Sequence, residues 1–387
     1  MRIPSPRLRG EGNARTAKAI DRAPYRRIAP VTLAPIQVLR GFAALLVVVH
    51  HAQFEGVVLA GRTSRSFEPS TLLPWAAGVD IFFVISGFII VHAAAPLYGR
   101  RDGRRRFLAH RVARLVPLYW LTTALYLAVL LAAPALLASN AALEPGYVLA
   151  SFLFWPALSP DGQPQPLYSL GWTLNFEMFF YALFAVALPW GRRIAFAWVA
   201  ASLSLLVTLR LSVPGLPQPL AFWGAPIVLE FALGAALGLA RAEGLRLAAL
   251  PRLCLAAAGI AWLMSVAGEP DLAMRPLAYG LPGLLLVAAA GLGPPRRGPE
   301  PLPLRWGVGL GDASYALYLA HPFVLRAARE ILLRTGAGAW IGPWAGIALM
   351  IGLAVAAAIL VHHGIERRLT AHARRLLDRR PAEPRPA

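Results

Sequence analysis

The chain has 387 residues, 57% of them hydrophobic and 15% charged, with a formal net charge of +19. A soluble domain carries roughly a quarter charged residues; here the few charges sit between long apolar runs, so lipid is the solvent for most of the chain. The positive excess is nearly all arginine in short loops and tails rather than on one soluble face, which excludes a nucleic-acid binder and fits arginine held at the cytoplasmic side beside anionic headgroups.

About 35 basic, proline-containing residues precede the first apolar run, too many for the charged region of a secretory leader. Residues 1–35 therefore read as a basic cytoplasmic tail, 36–366 as a transmembrane domain and 367–387 as an Arg/Pro-rich cytoplasmic tail. Ten spans are expected, at 36–56, 72–95, 108–133, 168–190, 194–211, 219–240, 248–267, 273–292, 306–327 and 340–365. Each approaches the ~20 residues that a helix needs to cross the hydrocarbon, and only helices satisfy their own backbone there. The fold class is all-α integral membrane, a bundle of about ten transmembrane helices with both ends inside. Pro214–Pro219 and Gly293–Pro303 read as loops.

The apolar stretch Tyr147–Trp155 is short, and charge decides against a crossing there. With ten spans, the later inner segments hold Arg192, Arg193, Arg241, Arg246, Arg252, Arg296, Arg297, Arg305 and seven tail arginines, against Arg210, Arg275, Arg326, Arg329 and Arg334 outside. The stretch is expected to be interfacial or re-entrant. Glu330, four residues from both Arg326 and Arg334, offers them helix-face pairing; contact with an acidic acceptor is the sharper alternative. The single cysteine, Cys254, excludes an internal disulfide and reads as a small core residue. No internal repeat is visible.

Charges inside spans are costly and mark function or pairing. In the first span, IQVLRGFAALLVVVHHA, Arg40 and His51 are 11 residues apart. They share one helix face, about 16 Å apart along the axis, while His50 points about 100° away. In the second, GVDIFFVISGFII, Asp80 could orient or charge-balance a histidine. Ser86-Gly87 reads as close packing or a minor polar contact, and no nucleophile elbow surrounds the serine. The third opens FLAHRVARLVPLYW, where Arg111 and Arg114 share a face and serve either as inner-side anchors or as a phosphate clamp. In SLGWTLNFEMFFYALF, Glu177 must be paired or protonated, with Thr173 and Tyr181 on its face. Glu230, followed by small residues, reads as a structural interhelical bond. In GDASYALYLAHPFV, Ser314, Tyr318 and His321 form one polar stripe, and Pro322 frees a backbone carbonyl near His321. By this topology the histidines and carboxylates lie toward the outer half, and Arg111 and Arg114 at the inner face.

These five segments, in this order, resemble the motifs of the acyltransferase type 3 family of membrane O-acyltransferases, in its exopolysaccharide and O-antigen branch; they span residues 36 to about 325. The resemblance implies transfer of an acyl group, by family habit acetyl, from cytoplasmic acyl-CoA to a hydroxyl of an extracytoplasmic polysaccharide or lipid-linked glycan, in the bacterial cytoplasmic (inner) membrane. By position, His51 is the essential histidine with Arg40 as its motif partner, Arg111 and Arg114 engage the CoA phosphates, and Asp80, Glu177 and His321 match further motif positions. His51 would act as general base, positioned by Asp80 or Glu177, or as an acyl relay. The expected partners are acyl-CoA, the glycan acceptor and membrane lipid, with no metal and no nucleic acid, in a monomer or a homodimer. Some relatives carry a further soluble domain; whether this chain completes the transfer alone stays open. The alternatives are a glycan-lipid transporter or flippase, or a non-catalytic partner in a polysaccharide export complex.

Overall fold

A computed structural model describes residues 33–133, 143–295 and 301–378. The expectations for the N-terminal tail up to residue 32, for Arg296 and Arg297, and for the chain end beyond 378 fall outside the described residues. The described residues are helical throughout, apart from turns, loops and one isolated bridge between Leu158 and Pro164.

The main helices are α1 (Ala34–Thr63), α2 (Gly78–Ala93), α3 (Gly103–Ala132), α4 (Pro145–Phe152), α5 (Trp172–Ala187) and α6 (Arg192–Ser212). They are followed by α7 (Leu229–Ala242), α8 (Ala249–Ser265), α9 (Leu281–Gly291), α10 (Leu302–Asp312), α11 (Ser314–Arg334), α12 (Ala337–Val361) and α13 (Arg367–Leu377). Each expected span coincides with a helix or with a broken pair. Six are long and apolar enough to cross a membrane: α1, α2 with its leading turn, α3, α5 with its flanking turns, α6, and α12 continuing into α13.

Of the other four, Ala249–Ser265 and Pro276–Gly291 are shorter apolar helices, and two expected spans are broken for identifiable reasons. At 219–240, Pro219, Gly224 and Pro226 split the segment into two short turns before α7 starts. At 306–327 the helix stops at Asp312 and restarts at Ser314. There Gly311 lies so close to α1 that a Cβ would stand 1.9 Å from the Gln37 carbonyl oxygen. The stretch read as interfacial or re-entrant contains α4, whose eight residues reach about 12 Å, well under the ~30 Å hydrocarbon thickness. It is tied back to its neighbours by Tyr119 donating to the Ser151 carbonyl (2.9 Å) and Trp120 to that of Phe152 (2.8 Å).

The core forms where α2 crosses α7 and α5 packs beside them. Phe83 and Phe180 both stack on Phe231, each with centroids 4.5 Å apart. Small residues set the crossing. A Cβ on Gly234 would be 2.0 Å from the Val84 carbonyl oxygen, and one on Gly87 would be 2.1 Å from that of Phe231. Cys254, expected in the core, is instead exposed, because α8 buries only Gly259 and Leu263 and turns its other faces outward. Ahead of α3, Asp102 accepts from Arg100 (2.9 Å) and pairs with Arg106 (2.6 Å). The Arg100 hydrogen bond, reinforced by both positive charges, holds this exposed carboxyl below its usual range.

Candidate functional site

Five helices, α1, α2, α3, α5 and α11, enclose one cavity with an empty volume of about 740 Å³ counted to its open mouth. They are the helices that carry the five sequence motifs. Arg40, Arg111 and Arg114 line it together with Ser86, Glu177, Tyr181, Ser314 and Tyr318, amid an apolar wall. The long helices bring side chains far apart in sequence to one space because each presents its polar stripe inward, away from lipid.

Arg40 is buried, with one terminal nitrogen donating to Gln37 Oε1 (2.8 Å) and the other to Ser314 Oγ (2.9 Å). Gln37 in turn donates to Asp312 across the α1–α10 contact. Arg111, also buried, lies over the rings of Tyr181 (5.3 Å) and Phe107 (5.4 Å), and its Nε has no hydrogen-bond partner. Glu177 accepts from Ser86 Oγ (2.9 Å) and from the Tyr181 hydroxyl. Deeper in, Tyr318 shares a 2.8 Å hydrogen bond with Thr173 and donates to the Leu170 carbonyl at 3.0 Å. Three guanidinium groups against one carboxylate leave the lining with a net positive charge of two by this count. Such a charge-unbalanced, partly open space suits an anionic ligand.

A histidine pair lies beyond Tyr318. His51 on α1 and His321 on α11 meet with 3.3 Å between His321 Nε2 and His51 Nδ1 and 5.0 Å between ring centroids. Each ring also sets its Nδ1 against the carbonyl four residues back, His51 on Val47 (2.9 Å) and His321 on Leu317 (3.0 Å). A carbonyl only accepts, so the proton of each neutral ring sits on Nδ1. His321 Nε2 is then the acceptor facing the His51 Nδ1–H, and the His51 Nε2 lone pair is left over. His321 is fully buried, whereas His51 is half-buried. The pair therefore presents one nitrogen lone pair, that of His51 Nε2, on a ring held in orientation from behind.

The structure brings Arg40, Arg111, Arg114 and Glu177 to one cavity and His51 to His321, but it does not join every expected partner. Asp80 does not face a histidine. It is completely buried and held by Arg275, with Nε at 3.1 Å and a terminal nitrogen at 2.5 Å, beside the equally buried Glu230. Arg275 stands at the turn before α9 and outcompetes a neutral imidazole for the carboxylate. Glu177, the other expected orienting group, is engaged by Ser86 and Tyr181. Ser86, read as packing, is a cavity-wall donor, while its neighbour Gly87 provides the close contact. Of the residues on Glu177's face, Tyr181 bonds to it and Thr173 turns to Tyr318. The cavity reaches Phe82 and Tyr318, one helical turn short of His321, and His51 is not on its wall. Arg326 and Arg334 do not pair with Glu330 as expected; Glu330 takes Arg329 (2.7 Å) and Arg62 (4.0 Å), and Glu55 takes Arg329 and Arg326. Glu55, one turn past His51, was legible by helical spacing; Arg275 was not, its partner lying 195 residues away.

Among the described residues no cluster of three or more His, Cys, Asp or Glu side chains is arranged to hold a metal ion. A sequence model of a family described as an acyltransferase domain matches residues 34–363. The exopolysaccharide production protein ExoZ of Rhizobium meliloti is 36% identical over 312 residues, covering 76% of this chain and 92% of that protein. No solved structure matches.

Proposed function

The chain belongs to the acyltransferase family whose domain it matches, an acyl-CoA-dependent transferase with several membrane-length helices, and we propose that it acylates a hydroxyl of a polysaccharide or lipid-linked glycan at the outer side of the bacterial cytoplasmic membrane. The glycan acceptor is supported by the likeness to an exopolysaccharide production protein, and acetyl is the group in keeping with the family. Both chain ends lie inside in this reading, so that the arginine end of the cavity opens toward cytoplasmic acyl-CoA and the histidine pair faces the acceptor.

One observation carries the reading: a cavity between the motif helices lined by three arginines and a single carboxylate. Arg111 and Arg114 hold the phosphates of CoA at the mouth, and Arg40, fixed by Gln37 and Ser314, extends the positive surface inward. The apolar wall beyond accommodates the thioester arm, and Phe82 and Tyr318, which end the cavity short of the histidines, must turn aside for the thioester to reach His51. His51 Nε2 takes the proton of the acceptor hydroxyl as its oxygen attacks the acyl carbonyl, and returns it to the sulfur of the departing CoA thiolate, so protons balance over the cycle. His321 keeps His51 in the productive tautomer. Glu177 holds Ser86 and Tyr181 in the cavity wall, and Asp80 acts at a distance by locking α2 to Arg275.

Arg111→Ala combined with Arg114→Ala is expected to raise KM for acetyl-CoA on the order of a hundredfold or more, since each lost charge-assisted contact costs about 1.5–3 kcal/mol. Steady-state kinetics on the purified protein measures this; an unchanged acetyl-CoA dependence removes the phosphate clamp. A transporter reading would instead leave acyl-CoA unconsumed.

A further inference from the structure

Three arginines, Arg62, Arg326 and Arg329, gather with Glu55 and Glu330 at the end of α1 and α11 that the proposed topology places outside, where cations are depleted. The cluster adjoins the base. Glu55 is one helical turn past His51, and Arg326 is five residues past His321. Arg329 is spent on structure: it is largely buried between Glu55 and Glu330. Arg326 differs, being 40% exposed and touching Glu55 only through Nε at 3.5 Å. Three cations against two carboxylates leave one positive charge over, shared by the two loosely held members: Arg62, 63% exposed and 4.0 Å from Glu330, and Arg326, which is the one on the helix of His321. Phe54 stands beside the same histidine, 57% exposed, with its ring centroid 6.4 Å from that of His51. An exposed aromatic face next to a catalytic base suits the apolar face of a pyranose ring.

We propose that this outer cluster is an acceptor subsite for a carboxylate-bearing sugar, with Arg326 taking the carboxylate and Phe54 stacking on a ring. The subsite rests on the reading that His51 faces the acceptor. A planar guanidinium matches a carboxylate through two parallel hydrogen bonds, and Glu55 holds the Nε edge so that the fork is oriented before binding. The sugar charge balances the surplus cation, and the hydroxyl to be acylated is thereby brought toward His51 Nε2. A lipid headgroup would also satisfy the arginine; the glycan is favoured by the neighbouring His51, and the test separates the two.

The test uses the purified full-length chain with acetyl-CoA and two probes: an oligosaccharide containing glucuronic acid and its carboxyl-reduced counterpart. The acidic probe is expected to have the lower KM. Arg326→Gln should raise that KM on the order of tenfold while leaving KM for the reduced probe and for acetyl-CoA unchanged. Arg326→Lys, which keeps the charge and loses the fork, should fall between, and guards against a misfolded glutamine variant. Phe54→Ala should weaken both probes alike. Equal KM values for the two probes in the unaltered protein overturn the subsite and leave the transferase reading standing. Preferential binding of the acidic probe without any transfer keeps the subsite and strikes the reaction instead; neither binding nor transfer overturns both. A loss in Arg326→Gln that is equal for both probes and restored by anionic phospholipid assigns the arginine to a headgroup and overturns the subsite.

Discussion

His51 Nε2 keeps an unused lone pair because two other positions on the pair are already committed: its Nδ1–H to Val47 and His321, and the His321 Nδ1–H to Leu317. Removing the proposed base and removing its support should therefore differ. His51→Ala is expected to lower transfer by at least ~100-fold, in keeping with the contribution of a positioned general base. His321→Gln keeps an amide oxygen able to accept from His51 and a donor for Leu317, so it should retain a larger fraction of activity than His321→Ala and alter the pH–rate profile. Acyl groups incorporated into glycan, at equal amounts of membrane-inserted protein, measure this; full activity in His51→Ala ends the assignment. The same-face relation of Arg40 and His51 was legible from spacing alone. That the histidine's partner is a second histidine rather than a carboxylate was not, since it depends on which side chain α11 presents 270 residues later.

At the scale of elements, the α2–α7 crossing controls the cavity. Gly87 and Gly234 let the two backbones touch, and Ser86 is thereby aimed at Glu177 on α5. Gly234→Val would place side-chain atoms inside the Val84 carbonyl, so the helices must separate. Overpacking of this kind typically costs about 1–3 kcal/mol. A lowered Tm in detergent, with activity falling in parallel, is expected. Gly352→Ala, at a helical glycine with open space around it, should hold or raise Tm. Equal melting of Gly234→Val and the unaltered protein would show the crossing to be looser than drawn. The buried Asp80–Arg275 pair works on the same element: it holds α2 to the turn before α9, beside Glu230. In sequence, Ser86-Gly87 signalled a close approach, but not which helix would make it.

At the scale of the whole molecule, the proposed reaction requires sidedness: donor arginines inside, histidines and acceptor cluster outside. In a Cys254→Ala background, Asp161→Cys should react with an impermeant maleimide in intact cells, and Asp378→Cys only after lysis. The reverse labelling would turn the donor and acceptor ends around and overturn the direction of transfer. Asp378 lies 3.8 Å from His110 near the start of α3, so the end of α13 and the arginine-rich mouth share one side. That side also carries the Arg100–Arg106 loop, in line with arginine retention at the inner face.

The sequence by itself determined that this is an all-helical membrane protein, roughly where its helices lie, which ionisable residues share a helix face and which family it belongs to. Those properties depend on hydropathy and on a 3.6-residue period, both local to a segment. Only the tertiary structure decided the partners. It paired His51 with His321, sent Asp80 to Arg275 and Glu177 to Ser86, broke two expected spans, and gathered Arg40, Arg111 and Arg114 around one space. Lipid is as apolar as the core, so hydropathy does not say which face meets which neighbour; close packing and charge-assisted hydrogen bonds between distant helices make that choice.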